Sequence, residues 1–149
     1  MTTPEGTSPI AADLATLIRD ALRLLDLPEL LPRELDSHAT STVDVLGRPG
    51  VCLVATADGP VVVWSPFGPY EERMAAALAV PYLALHLDSW SEHFHLGQPA
   101  LVLERGHLRL VAELRPEALD SAQRLAEALL AYLDHQHRVH DLVTAALQA

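Results

Sequence analysis

The sequence predicts an α+β domain: an antiparallel five-stranded sheet, made of a three-strand meander plus a hairpin, with long N- and C-terminal helices and a short middle helix, in the order α-β-β-β-α-β-β-α. Three observations predict it. Residues 99–114, PALVLERGHLRLVAEL, are two apolar runs joined at Glu104-Arg105-Gly106-His107, with a glycine where positive φ is wanted and Pro99 at the start of an arm, where a missing N–H breaks no ladder bond. Two stretches, one starting near Pro9 and one covering 120 to about 146, repeat apolar residues at three- and four-residue spacing. Between them, three short apolar runs are separated by turn residues. A two-stranded ribbon is marginal alone, so the hairpin must be joined by the upstream strands.

Residues 1–8 read as a flexible polar tail and 9–149 as a single domain. Ser8-Pro9 reads as an N-cap with proline at the first helical position. The first helix follows, with Ile10, Leu14, Leu17, Ile18, Ala21, Leu22 and Leu25 on one side, Leu24 and Leu27 widening the stripe, and Asp13, Arg19, Asp20 and Arg23 on the other. Pro28 pushes its predecessor out of the α region, which predicts an end near Asp26 and a connector over 28–39. The meander is expected at 41–46, 51–57 and 61–64, turning at Gly47-Arg48-Pro49-Gly50 and Asp58-Gly59. Its second and third strands look apolar on both faces and so want cover on both sides. Residues 65–69, with two prolines and a glycine, read as a loop. A helix is expected over 70–79, with Glu71 and Glu72 complementing its dipole, interrupted at Pro81; residues 82–90 read either as a second short helix, with Leu83, Leu87 and Trp90 on one face, or as a strand. In the second arm of the hairpin Leu108, Leu110, Ala112 and Leu114 face the core, and Arg109, Val111 and Glu113 face water.

The chain of 149 residues is half hydrophobic, with ten Arg, no Lys and a formal charge of −10. No run approaches the ~20 apolar residues of a membrane span, and the acid excess argues against docking on nucleic acid or anionic lipid, both of which want a basic patch. The start has neither a basic n-region nor an apolar h-region, so the expectation is a cytoplasmic protein. The one cysteine, Cys52, lies in an apolar strand pattern and reads as a buried small hydrophobe.

Chemistry is sparse. In the run 134–141, DHQHRVHD, His137 and Asp141 share a helix face, but His135 and His137 point about 200° apart and cannot chelate one ion. A solvated helix face is the expectation there. His93 and His95 lack a further ligand at metal spacing. Ser89 and Ser91 have no nucleophile elbow around them, and the glycines form no phosphate-cradling loop. We therefore expect no catalytic residue, metal or cofactor, and no enzyme. What remains is more apolar surface than one sheet and two helices can cover, which wants a second copy of the chain, a partner polypeptide or the middle helix.

The order of elements, with the N-terminal IAADLATLIRDALRLLDLPEL, the middle LALHLDSWSEHFHLGQPALVLERGHLRLVAEL and the acidic last helix, resembles the class I chaperones of bacterial type III secretion systems. Pro81 and the segment SPFGPY depart from the family pattern. The resemblance implies a bacterial cytoplasmic homodimer built partly from the middle helix and the neighbouring hairpin strand. It also implies that an extended N-terminal segment of an effector, the chaperone-binding segment, fills apolar grooves and adds strands to the sheet, without ATP. On this sequence the client grooves would use Leu17, Leu24, Leu27, Val43, Val45, Val62 and Trp64, and the dimer interface Leu78, Tyr82, Leu83, Val102 and Leu103. The alternative is a dimeric regulator of the same fold that sequesters a secretion-linked activator or anti-activator.

Overall fold

The computed structural model describes residues 9–26, 40–43, 49–55 and 60–149. The expected tail, the connector 28–39, the Asp58-Gly59 turn, Leu27 and Val45 lie outside the described residues. Helix α1 (Pro9–Leu24) buries Leu14, Ile18, Ala21 and Leu22, a stripe at four- and three-residue spacing, and packs it mainly on the last helix. It ends at a turn in which the Leu25 N–H reaches the Ala21 carbonyl and Asp26 takes φ of 59°, a conformation aspartate tolerates better than most residues.

Strands β1 (Thr40–Val43), β2 (Val51–Ala55), β3 (Val61–Pro69), β4 (Ala100–Glu104) and β5 (His107–Glu113) form one antiparallel sheet in the order β1-β2-β3-β5-β4. The hairpin closes through Arg105 and Gly106, with φ of 50° and 79° and Glu104 paired to His107. Two successive positive φ values give the turn whose twist matches the strands, and glycine supplies one of them without strain. Alternation sorts the faces. Val51, Leu53, Val61, Val63, Leu108, Leu110 and Ala112 are buried under the helices, while Cys52, Val54, Val62, Trp64, Arg109 and Val111 lie half-buried on the outer face.

The structure corrects two expectations from proline. Residues 65–69 are not a loop but the second half of β3, paired to β5 from Ser65 to Pro69 with a bulge at Phe67. Among the described residues, pairing of β2 to β3 stops at Trp64 and no strand pairs with that side of β3 at Pro66 and Pro69, a position at which a missing N–H is tolerated. The middle of the chain is likewise not two short helices but one, α2 (Glu72–Asp88), with Pro81 inside it. Pro81 is on the exposed side, so water can serve the carbonyl that lost its donor, and the turns on either side are held by Met74 and Leu78 below and by Tyr82 and Leu85 above.

A 3-10 turn (Pro116–Leu119) precedes α3 (Ala122–Gln148), whose N-cap Ser121 Oγ accepts from the Arg124 N–H at 3.2 Å. α3 is the spine of the helical layer and carries Leu125, Leu129, Tyr132, Val139 and Val143 into the core. It also corrects the solvated-face reading of 134–141: His135 is 5 % exposed and Gln136 is fully buried. The Tyr132 hydroxyl lies 3.0 Å from the Leu110 carbonyl and 2.9 Å from Ser65 Oγ, and Gln136 Nε2 donates to Ser65 Oγ and to the Pro49 carbonyl at 2.9 and 2.8 Å. This network ties α3 to the sheet at the point where β3 parts from β2.

Candidate protein-binding surfaces

α2 is a 17-residue helix that buries only Met74 and Leu78. Ala77, Tyr82 and Leu85 are partly buried against the core, and other apolar residues face out: Leu83 is 55 % exposed and Leu87 78 %, continuing into Trp90 at 74 %. Beside it runs β4, an edge strand whose Val102 and Leu103 are also exposed. In β4 the Leu101 N–H is donated to Tyr82 Oη at 2.7 Å and therefore points away from β5. By the alternation of an antiparallel ladder, the Leu101 carbonyl and both main-chain groups of Leu103 point the same way, unpaired among the described residues. An open edge flanked by exposed leucines is a template for another chain. Tyr82 thus serves its own chain by fixing β4 to α2, and burial raises its hydroxyl pKa. Leu78, at 7 % exposure, belongs to the chain's own core. Of the residues assigned to an interface from the sequence, Leu83 and Leu103 are exposed on the helical side of this edge, while Val102, opposite Arg109, is exposed on the outer face of the sheet.

The second surface is the outer face of the sheet. The register sets Cys52 beside Trp64, Trp64 beside Val111 and Val54 beside Val62. Arg109 lies 4.6 Å above the Trp64 ring and is paired to Glu104 at 3.0 Å, so its guanidinium covers one side of the indole. Leu17 and Leu24, assigned to the same grooves, are on α1 in the helical layer, separated from Val62 and Trp64 by the sheet. Val43 stands in β1, which pairs with β2 at Val51. Leu96, which pattern reading did not single out, is 84 % exposed in a left-handed conformation in the 3-10 turn His95–Gly97.

Among the described residues no three His, Cys, Asp or Glu side chains stand close enough to hold a metal, and no helix is long and apolar enough to cross a membrane. His137 pairs instead with Asp141 at 3.7 Å.

Comparison with solved structures gives TM-scores of 0.53 to the Yersinia pestis type III secretion chaperone SycH, solved in complex with a stable fragment of YscM2, and to a chain of the heterodimeric ExoU–SpcU complex of the Pseudomonas aeruginosa type III secretion system. The first match covers 84 % of this chain and 98 % of that one at 18 % identity, the second 89 % and 96 % at 16 %. The chain has the fold of the type III secretion chaperones. In sequence it is 27 % identical over 124 residues to the surface presentation of antigens protein SpaK of Salmonella typhimurium and of Salmonella typhi, covering 83 % of this chain and 90 % of theirs. No family model matches. In this chaperone fold α2 and β4 adjoin one another at one end of the sheet, with the outer sheet face around the corner from them.

Proposed function

We propose that this chain is a type III secretion effector chaperone: a non-catalytic homodimer of the bacterial cytoplasm that holds an extended N-terminal segment of an effector soluble and ready for export. The observation that carries the reading is α2, a helix with two buried residues beside an open apolar edge strand. A second copy docked on Leu83, Leu87, Val102 and Leu103 would cover both. Each leucine fully buried contributes about 1.5–3 kcal/mol. The client would lie on the outer sheet face over Val62 and Trp64 and along the α1 crest at Leu17 and Leu24, its main chain adding to sheet edges. Ordering an extended segment costs roughly 1 kcal/mol or more per residue, so several apolar side chains must be buried to offset it. The charge of −10 keeps a protein with this much apolar surface in solution.

The test is co-expression with candidate effector N-terminal segments. A segment should co-purify with the wild-type chain and be protected from protease, and Trp64→Asp should release it while leaving the chain folded. Recovery of the segment with the Trp64→Asp chain at wild-type yield contradicts the placement of the client.

A further inference from the structure

The β4 edge is less open than its exposed leucines make it look. Glu104 pairs with His107 across the hairpin turn, and from there the ladder alternates, so within β4 the main-chain groups of Leu101 and Leu103 point away from β5. Pro99, just before the strand, has no N–H to give. Of the two N–H groups on the open side, that of Leu101 is donated to Tyr82 Oη at 2.7 Å, and that of Leu103 is unpaired among the described residues. The phenol is held from behind. Tyr82 is partly buried against the core, its ring lies 5.7 Å from that of His86 one turn along α2, and His86 Nε2 is bonded at 2.8 Å to the side chain of Gln98, the residue before Pro99. α2 is therefore fastened to the start of β4 at two points.

The occupant that this arrangement stands against is a second β4. The strand is self-complementary: in an antiparallel two-fold pairing with Val102 opposite Val102, each Leu101 faces the other copy's Leu103, and every outward N–H of both strands meets a carbonyl. The side chains would favour the pairing, since Leu103 is 55 % and Val102 37 % exposed. Other guards of an edge are missing from Ala100–Glu104, which holds no proline or bulge and no charge before Glu104. With Tyr82 in place, the Leu101 N–H of each copy is already used, and the phenol oxygen stands where the incoming Leu103 carbonyl would have to come.

We propose that Tyr82 is a gate on the β4 edge: by taking the Leu101 N–H it bars a second copy from extending the sheet there, so that copies of this chain meet at this face through side chains alone. How the second copy docks rests on the dimer reading above; that the edge is shut does not.

The test is Tyr82→Phe and Tyr82→Ala in the full chain, read by amide hydrogen exchange and by light scattering over a dilution series. Tyr82→Phe keeps the ring and removes the acceptor, so at the lowest concentration the Leu101 amide should exchange at least about tenfold faster than in wild type, while that of Leu110, which points to β3, keeps its rate. Tyr82→Ala also clears the way, and should self-associate at least about tenfold more tightly than wild type. Adding Leu103→Pro to Tyr82→Ala should abolish that gain, because the proline costs no bond to β5 yet cannot sit between two strands. An unchanged Leu101 rate, association no tighter than wild type, or a gain that survives Leu103→Pro overturns the gate. Should Tyr82→Ala not fold, Tyr82→Phe decides by the same two readings: faster Leu101 exchange with tighter association supports the gate, and the absence of either overturns it. The wild-type mass reports the dimer separately: a wild-type monomer contradicts the dimer reading, while the comparison of variant with wild type still decides the gate.

Discussion

Replacing Leu83 with glutamate separates an interface from a core. In the single chain Leu83 is 55 % exposed, so about half of its burial remains to be gained on docking. At about 1.5–3 kcal/mol for a fully buried leucine, that is about 1 kcal/mol per copy. A two-fold interface counts each substitution twice, giving about 2 kcal/mol per dimer. A glutamate held there adds the cost of desolvating a charge, several kcal/mol unless it finds a cation. The dimer dissociation constant should rise at least about a thousandfold, which corresponds to about 4 kcal/mol. Light scattering over a dilution series reads the mass, and circular dichroism at low concentration reads the fold of the monomer, which should change within about 0.5 kcal/mol because an exposed position is substituted. An unchanged mass at every concentration would refute the reasoning about α2. Loss of helicity in step with loss of mass would refute it differently, by showing that Leu83 is needed within the chain.

Three further outcomes follow from the packing. Tyr132→Phe leaves the buried Leu110 carbonyl and Ser65 Oγ without the phenol, so urea unfolding should show a loss of about 1–3 kcal/mol with the m-value kept. Pro81→Ala restores a helix donor at a position already helical and exposed, and the melting temperature should rise; a fall would mean that the proline ring packs usefully. Gly106→Val forces a branched side chain to φ of 79° in the hairpin turn, and should cost about 1–2 kcal/mol in thermal or urea unfolding while Gly106→Asn costs less.

The hairpin and the first helix were legible because a single period ran through each: Leu108, Leu110 and Ala112 alternate with Arg109 and Val111, and Leu14, Ile18, Ala21 and Leu22 recur on one side of α1. Prolines misled twice. Read locally, Pro66, Pro69 and Pro81 break structure; in the fold the first two stand beyond the end of β2 pairing and the third on an exposed helical surface. Pattern reading also treats polar residues as solvated, which hid Gln136 and His135. A signal was present, since Gln136 is four residues from Tyr132 and three from Val139, on the same stripe, but only the partners Ser65 and Pro49, distant in sequence, explain why an amide belongs there. The face of α2 was legible only through the family resemblance, which put Leu83 at an interface; a helix apolar on several sides does not sort its own faces, and only the fold shows Met74 and Leu78 buried, Ala77, Tyr82 and Leu85 partly covered and Leu83 and Leu87 exposed.

A second copy covering α2 and β4 is the central element of the proposed function. The decisive measurement is the solution mass of the purified chain at neutral pH by light scattering, alone and with a co-expressed effector N-terminal segment. The account predicts twice the chain mass of 16.2 kDa alone, and that mass plus the segment in the complex. A chain that runs at 16.2 kDa over the whole concentration range and takes up no segment would contradict it.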